Sequence, residues 1–358
     1  MLNYAALPKV VLHDHLDGGL RPLTVIELAK ERGYTKLPTT DPEALGAWFV
    51  EGANKKNLVE YLRGFEHTVA LLQDPEAIER VAQEYVEDLV ADGVVYAEVR
   101  NAPELNTQQG LSMLEVLEAT DRGLARGMHE AAAKGHNIMV NQLVIGMRHD
   151  TRVLEAAEAA LEARDSGLHI VGFDIAGPEA GFPPGAHREA FNLIKEGCLR
   201  TTIHAGEAEG VPSIAEAMNS CGAERLGHGV RIIEDITDHE DALELGLVAD
   251  MVLDRGIVLE CCPTSNVQTG AVPTIEEHPI DALLELGFRV TVNTDNRLMS
   301  GVSMTSEFGV LADVFGWGID EFEEVTLNAI EGSFAHFHER VEIADTVILP
   351  GFEAARNA

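Results

Sequence analysis

Basic residues are scarce in this chain of 358 residues, which carries 26 Lys and Arg against 60 Asp and Glu and has a formal charge of −34. A surface of this charge repels a phosphate backbone, which argues against stable binding to nucleic acid or to an anionic membrane. A small neutral substrate is compatible with it, and so is an unusually saline cytoplasm. The charge leaves both interpretations open.

Cysteines are few as well, and the four present (Cys198, Cys221, Cys261 and Cys262) do not make a disulfide framework for so long a chain. The N-terminal segment lacks a basic start followed by an apolar stretch and a small-residue cleavage site. No run approaches the roughly 18 uncharged apolar residues of a membrane span. We therefore expect a protein of the reducing cytoplasm.

Apolar material is plentiful, since 46% of the residues are hydrophobic and only 24% are charged. Short apolar segments recur, and most are separated by runs such as residues 75–93 and 151–167, which have apolar residues at helical spacing and end at Gly. The strand candidates are Val10–His15, Val94–Arg100, Ile138–Met147, Ile170–Ala176, Thr201–Ala205, Arg225–Val230, Ile257–Cys262 and Arg289–Asn293.

Eight strands with intervening helices in one chain of this size predict an α/β protein of the (β/α)8 barrel class. A doubly wound parallel sheet is the alternative, but no Gly-rich phosphate loop follows the first strand. No repeat, low-complexity tract or linker divides the sequence, so we expect one domain over residues 1–358.

Two stretches fall outside the barrel repeat. Residues 22–73 separate the first strand from the first barrel helix, and residues 303–345 have helical patterning that would cover the outside or one end of the barrel. Within the first stretch, four apolar residues recur at three- and four-residue steps and can share one face of a helix: Leu58, Tyr61, Leu62 and Phe65. They either pack onto the barrel or form a lid over its mouth, because insertions after barrel strands lie on the catalytic face.

Five polar residues stand at or just after the C-terminal ends of predicted strands: His13, His15, His204, His228 and Asp295. The two-residue step from His13 to His15 puts both imidazoles on one face of a strand. A single histidine at a strand end is more often a hydrogen-bonded core or loop residue, but five such groups at one face of a barrel are hard to explain by coincidence. Three imidazoles and one carboxylate suit Zn²⁺ with one open coordination position.

Glu207 lies three residues after His204 and could extend from the same loop toward a substrate over the metal. A partly desolvated carboxyl there would have a raised pKa and could donate a proton near neutrality. Its alternative role is to stabilise a helix N-terminus. The predicted fourth strand contains no Lys that could bridge two metals, which favours one metal ion per chain.

Six motifs follow one another over about residues 7–340: LPKVVLHDHLDGGLRP, GFDIAGPE, HAGE, LGHG, CPTSN and VNTDN. Together they resemble the adenosine deaminase family of the amidohydrolase superfamily. The resemblance implies zinc-dependent hydrolysis of adenosine, and of 2′-deoxyadenosine, to inosine or deoxyinosine and ammonia in purine salvage. Because the surface is strongly acidic, we expect a small-molecule substrate and no nucleic-acid or membrane partner.

The resemblance also implies roles for individual residues. The zinc ligands would be His13, His15, His204 and Asp295. Glu207 would protonate purine N1, while His228 would position the attacking water and Asp295 would accept its proton.

Substrate contacts follow from the same resemblance, and His15 is one of them in addition to being a metal ligand. Asp17 would hold a ribose hydroxyl, and the backbone of Gly177 would donate to purine N3. The lid would contain Leu58, Tyr61, Leu62 and Phe65.

Asn296 departs from the commoner family pattern, in which a second Asp follows the metal-binding Asp and contacts purine N7. An amide NH2 can donate to N7 without first being protonated, so we expect purine recognition with one source of pH dependence removed. Relatives that act on adenine, modified adenosines or aminodeoxyfutalosine share the metal site, and they remain alternatives. A zinc-containing binding protein without turnover is a further alternative that an intact Glu207 and His228 argue against.

Overall fold

The computed structural model describes residues 2–239 and 242–357, and its centre is a barrel of parallel strands. The strands are β1 (Lys9–His15), β2 (Val94–Asn101), β3 (Met139–Met147), β4 (Ile170–Ala176), β5 (Arg200–Ala205), β6 (Arg225–His228), β7 (Ile236–His239), β8 (Ala242–Leu245), β9 (Val258–Cys261) and β10 (Val290–Val292). Eight of them pair in the order β1-β2-β3-β4-β5-β6-β9-β10, and β7 and β8 form a separate antiparallel hairpin. The predicted (β/α)8 barrel is therefore confirmed, and the doubly wound alternative is wrong.

The last barrel strand meets the first through only a few contacts, and these lie beside the predicted metal ligands. The N–H of His15 donates to the carbonyl of Asp295 at 2.8 Å, and the N–H of Asp295 donates to the carbonyl of His13 at 2.9 Å. One step earlier, the side-chain oxygen of Asn293 accepts from the N–H groups of Leu12 and His13, at 2.8 and 3.1 Å. The side chain of Asn293 thus replaces part of the strand pairing along the seam, the line where β10 meets β1 and closes the barrel.

Helices surround the barrel and follow most of its strands. They are α1 (Pro22–Glu31), α2 (Pro42–Ala53), α3 (Leu58–Tyr61), α4 (Phe65–Leu71), α5 (Pro75–Ala91), α6 (Met113–Ala133), α7 (Val153–Asp165), α8 (Arg188–Glu196), α9 (Val211–Cys221), α10 (Leu247–Asp254), α11 (Pro263–Thr269), α12 (Ile280–Glu285), α13 (Arg297–Ser300), α14 (Met304–Phe315), α15 (Ile319–Gly332), α16 (Phe337–Ile343) and α17 (Leu349–Arg356). None of these combines the length and the apolarity needed to cross a bilayer.

Local sequence explains how the first barrel helix forms and packs. The carboxylate of Asp74 caps α5 by accepting from the N–H of Ala77 at 2.9 Å, and Pro75 occupies the first helical position, where a missing N–H costs nothing. Gly123 and Gly127 on α6 face α5 so closely that a Cβ at Gly123 would lie 2.4 Å from the carbonyl oxygen of Glu79. Small residues therefore let these two helices approach.

The insertion after β1 is helical, as expected, but its lid segment is not one continuous helix. A short α3 leads through a 3₁₀ turn at Leu62–Gly64 into α4. Gly64, a poor helix former, lies where the helical geometry changes. The C-terminal helices run to Arg356, beyond the predicted limit of residue 345.

Three predicted strands are shorter than expected at their C-terminal ends, and one of them is β9, which stops at Cys261 instead of Cys262. Strand β6 stops at His228, because His228 and the following Gly229 have φ of 61° and 67° and so leave the extended conformation. Strand β10 stops at Val292, after which Asn293 contacts β1 through its side chain instead. The sequence analysis did not anticipate the hairpin of β7 and β8.

Candidate metal centre and active-site cavity

Four buried groups at the C-terminal ends of the barrel strands could hold a metal ion together. One ligand atom from each lies within 4.8 Å of the others, and the residues are His13, His204, His228 and Asp295. His15 is outside this group, but its Nε2 lies 3.4 Å from Asp295 Oδ1, the same distance as His13 Nε2. The structure therefore brings all five predicted residues to one place. Two sets of four ligands are possible, one that contains His15 and one that contains His228.

Buried carboxylates orient two of the imidazoles. Nδ1 of His13 contacts Glu260 Oε2 at 3.0 Å, and Nδ1 of His204 contacts Asp174 Oδ2 at 2.8 Å. Arg100 bridges Glu260 and Asp174 through its two terminal nitrogens, so that both carboxylates are held by one cation. When Nδ1 of a histidine binds a carboxylate, Nε2 is left as the ligand atom, the usual arrangement at metal sites.

Orphaned polar atoms show that the donor set fits a metal ion. His13 Nε2 and Asp295 Oδ1 are buried and have no hydrogen-bond partner in the described residues. Burial would raise the pKa of Asp295, but its contact with His13 holds this pKa well below its ordinary value. Burial also lowers the pKa of His15 to about 3 and that of His204 well below the usual value, so both imidazoles are neutral and able to ligate. Neutral imidazoles with one carboxylate are the ligands that Zn²⁺ favours.

A cavity of about 350 Å³ lies over these groups at the barrel mouth. It is lined by every predicted substrate contact: His15, Asp17, Leu58, Tyr61, Leu62, Phe65, Gly177 and Asn296. Glu207, His204, His228 and Asp295 line it too, whereas His13 lies beneath and is fully buried. A volume of this size suits a small organic ligand.

The lid residues form one wall of the cavity rather than only packing onto the barrel. Tyr61 is buried, and its hydroxyl contacts Ser300 Oγ of α13 at 2.8 Å, which ties α3 to the barrel. An apolar group of Ala102, Ile145 and Ala176, separate from the main core, lines the same cavity. One part of the cavity wall is therefore apolar, while its floor is polar.

Glu207 is placed to exchange a proton with a ligand in the cavity. Its carboxyl is buried, Oε1 has no partner in the described residues, and Oε2 lies 3.7 Å from His228 Nε2. Burial, and secondarily the charge of Asp295, raises the pKa of Glu207 to about 8. The carboxyl is thus protonated near neutrality, as the sequence analysis expected, and it does not cap a helix.

A second carboxylate, Glu179, fixes the turn that carries Glu207. Its two oxygens accept from four consecutive N–H groups at 2.7–3.1 Å, those of residues 206–209, and from Ser213 Oγ at 2.6 Å. The turn begins at Gly206, whose φ of 80° favours glycine. The sequence analysis included Glu179 only as the end of the GFDIAGPE motif and gave it no role.

Other polar residues around the site were also missed. The strongest signal in the sequence was a charged residue inside an apolar strand, as at Asp174 in GFDIAG and Glu260 in VLECC. Such a residue is buried at a cost unless it has a partner, so it marks a polar network inside the barrel. Nothing local could have indicated Ser265, whose Oγ donates to Asp295 Oδ2 at 2.6 Å.

Comparison with known proteins gives consistent results. The profile of a family described as adenosine deaminase matches residues 8–350. The chain is 53% identical to an adenosine deaminase of Mycolicibacterium vanbaalenii over 351 residues, which are 98% of this chain and 96% of the relative. It is 52% identical to adenosine deaminase 1 of Streptomyces coelicolor over 346 residues, 96% of this chain and 87% of that one. Among solved structures it is similar to an adenine deaminase from Arthrobacter aurescens, with a TM-score of 0.81 and 26% identity over 98% of this chain and 100% of that one.

Proposed function

The chain belongs to the adenosine deaminase family, and from this premise we propose that its cavity binds adenosine or 2′-deoxyadenosine and replaces the 6-amino group with oxygen. Inosine or deoxyinosine and ammonia would be the products, as in purine salvage. The observation that carries the proposal is a buried carboxyl, Glu207, that is protonated near neutrality in a cavity directly over a metal-binding group.

We propose His13, His15, His204 and Asp295 as the ligands of one zinc ion. A bound zinc would supply hydroxide near neutral pH, because it lowers the pKa of a coordinated water to about 7. The orphaned atoms of His13 and Asp295 support this set. Zinc content per chain in two variants separates it from the set that contains His228: His15→Gln should lose metal and His228→Gln should keep it, and the reverse result would count against our assignment.

The protein's own groups then divide the proton transfers. Glu207 donates to purine N1, which makes C6 more electrophilic. His228 positions the attacking oxygen, and Asp295, held by Ser265 through Oδ2, accepts the proton that this oxygen loses. Positioned acid–base groups of this kind contribute about 10² to 10⁴-fold each to a rate.

Recognition of the nucleoside uses the remaining cavity residues. Asp17 would bind a ribose hydroxyl, the backbone of Gly177 would meet purine N3, and the lid residues would cover the base. Asn296 would donate from its NH2 to purine N7. This is supported by the position of Asn296, which lines the cavity together with Asp17 and Gly177.

We also propose that residues 1–358 act as one barrel domain, with a helical lid insertion at about 22–73 and C-terminal helices, and that it works in the cytoplasm. The lid and the barrel line the same cavity, which supports a common functional unit.

A substrate panel tests the proposal. Turnover of adenosine, deoxyadenosine, adenine and aminodeoxyfutalosine is measured by the change in ultraviolet absorbance. The values of kcat/KM should be highest for adenosine and deoxyadenosine. Adenine should be a poor substrate because it leaves Asp17 without its ribose partner. A preference for adenine would favour a function like that of the Arthrobacter neighbour, and no turnover of any compound would favour a binding protein.

A further inference from the structure

A chain of three buried side chains runs from His228 away from the cavity. Nδ1 of His228 contacts the amide nitrogen of Asn266 at 3.0 Å, and the amide oxygen of Asn266 contacts Nε2 of His278 at 3.1 Å. Nδ1 of His278 receives the N–H of Ile280 at 3.1 Å. These side chains are at most 3% exposed, so water does not compete for their hydrogen bonds.

The far end of this chain fixes where each proton lies. The N–H of Ile280 can only donate, and it is available because it belongs to the first turn of α12. His278 Nδ1 must therefore accept. Burial lowers the pKa of His278 to about 3, so its ring is neutral and carries its one proton on Nε2. That proton points at the amide oxygen of Asn266.

A second backbone donor fixes the amide of Asn266 independently. The N–H of Cys262 donates to the same amide oxygen at 3.2 Å. Turning the amide over would place its NH2 group against two donors, one from Cys262 and one from His278. The NH2 group therefore faces His228, and His228 Nδ1 must accept from it.

We infer that Asn266 and His278 are positioning residues that keep the proton of His228 on Nε2, the nitrogen that faces Glu207 across 3.7 Å. Two consequences follow for the proposed reaction, on which this inference rests. His228 offers an N–H to the attacking oxygen and cannot take that oxygen's proton as a neutral base, which leaves Asp295 as the acceptor. His228 also has no lone pair on Nε2 for a metal, which removes it from the ligand set.

The direct test is the ¹⁵N NMR spectrum of the histidine rings in the zinc-loaded enzyme without substrate, with His228 assigned by comparison with His228→Gln. We expect a pyrrole-type Nε2 and a pyridine-type Nδ1 for His228. The opposite pattern, or a signature of metal ligation on His228, would overturn the inference. This readout does not depend on turnover, so a protein that failed to deaminate adenosine would refute the proposed function and leave this test intact.

Asn266→Asp reverses the hydrogen bond to His228, because the side chain at position 266 becomes an acceptor instead of a donor. A carboxylate has no proton to give, so it should draw the proton of His228 to Nδ1 and exchange the two nitrogen signatures. We expect kcat for adenosine to fall about 10²-fold while KM changes less than about threefold, because contacts with the purine are untouched. Gln268→Glu is the matched control. It makes the same change to a buried amide of α11 that is not hydrogen-bonded to His228 or His278, and it should keep the native ¹⁵N pattern of His228. A native pattern or a native kcat in Asn266→Asp would refute the role.

A pair of variants at His278 keeps the inference testable if Asn266→Asp does not fold. His278→Leu removes both the acceptor for the Ile280 N–H and the donor to Asn266, whereas the amide of His278→Gln has an oxygen that can accept and an NH2 group that can donate. Only Gln can still donate to Asn266, so it should retain most of kcat and the native His228 pattern, whereas Leu should lose about tenfold in kcat and show mixed tautomers. Equal kcat in the two variants would reduce His278 to a structural residue.

Discussion

At the scale of single residues, the chemistry depends on side chains that the fold buries and, in two cases, strains. His228 and Asp295 have φ of 61° and 60°, a region that residues other than glycine rarely adopt. Each such residue costs about 1–3 kcal/mol and persists only where its surroundings hold it. For Asp295 the holding contacts are its backbone hydrogen bonds to His13 and His15, which aim its carboxylate into the barrel.

Glu207→Gln tests the proton donor. We expect kcat to fall about 10²- to 10⁴-fold with zinc content unchanged, because the amide cannot transfer a proton to purine N1. In the wild type, the carboxyl donates only below its pKa of about 8, so kcat/KM should decline as the pH rises through that value. The exposed neighbour Glu209 provides the control, since Glu209→Gln should behave like wild type. Near-normal kcat in Glu207→Gln would show that the role assigned to Glu207 is wrong.

Asn296→Asp tests recognition at purine N7. A carboxyl donates to N7 only while protonated, so the variant should lose kcat/KM as the pH rises through the pKa of the new carboxyl, on the acid side of the profile. The wild type should show no such loss there, because an amide donates at every pH. Superimposable profiles of wild type and variant between pH 4 and about 7 would argue against this role of Asn296.

At the scale of elements, the turns after the strands decide how well these side chains are aimed. The turn after β5 is an example, since Glu179 binds four successive N–H groups of residues 206–209. Two of these hydrogen bonds are buried, those of residues 206 and 207, and one carboxylate joins all four donors, so the turn and Glu207 are held as one unit.

Glu179→Gln should loosen this turn, because one amide oxygen cannot replace two carboxylate oxygens and the NH2 group would face donors. We expect a loss of about 1–3 kcal/mol in the free energy of unfolding and roughly a tenfold loss of kcat. Urea denaturation and steady-state kinetics measure the two effects, with Glu189→Gln on the exposed side of α8 as the control. If the variant unfolds at a lower urea concentration but keeps its kcat, Glu179 stabilises the fold without positioning Glu207.

At the scale of the whole molecule, the metal centre and the seam of the barrel coincide. The proposed ligands are His13 and His15 of β1, His204 of β5, and Asp295, which follows β10. Only a few backbone contacts join β1 to β10 at the seam. A metal ion there would join both sides of the seam, so binding and folding should be coupled.

Removal of the metal with a chelator should therefore lower Tm. A ligand present at a hundred times its Kd stabilises the folded state by about 2.7 kcal/mol, which corresponds to roughly 3–5 °C for a chain of this size. Adding zinc back should restore Tm, and adding magnesium should not, because the site is rich in imidazole. An unchanged Tm after verified loss of metal would show that the seam is stable without it.

Much of the fold and the list of site residues follow from local pattern alone. All eight barrel strands were predicted within a few residues of their bounds. Short apolar segments alternate with segments whose apolar residues have helical spacing, and both patterns can be read from neighbouring residues. The two-residue step from His13 to His15 likewise puts both on one face without knowledge of the fold. The short hairpin of β7 and β8 escaped because it lies outside the barrel and lacks a strong periodic signal.

Only the tertiary structure decided how the site residues are held. The partner of His13 is Glu260, 247 residues away, and no pattern within a strand can reveal a contact across the barrel. The proton position on His228 depends on Asn266 and His278, which meet only after the strand ends and α11 are assembled. Periodicity tells which face a side chain occupies, whereas the atom that it presents to a substrate is set by hydrogen-bond partners from distant parts of the chain.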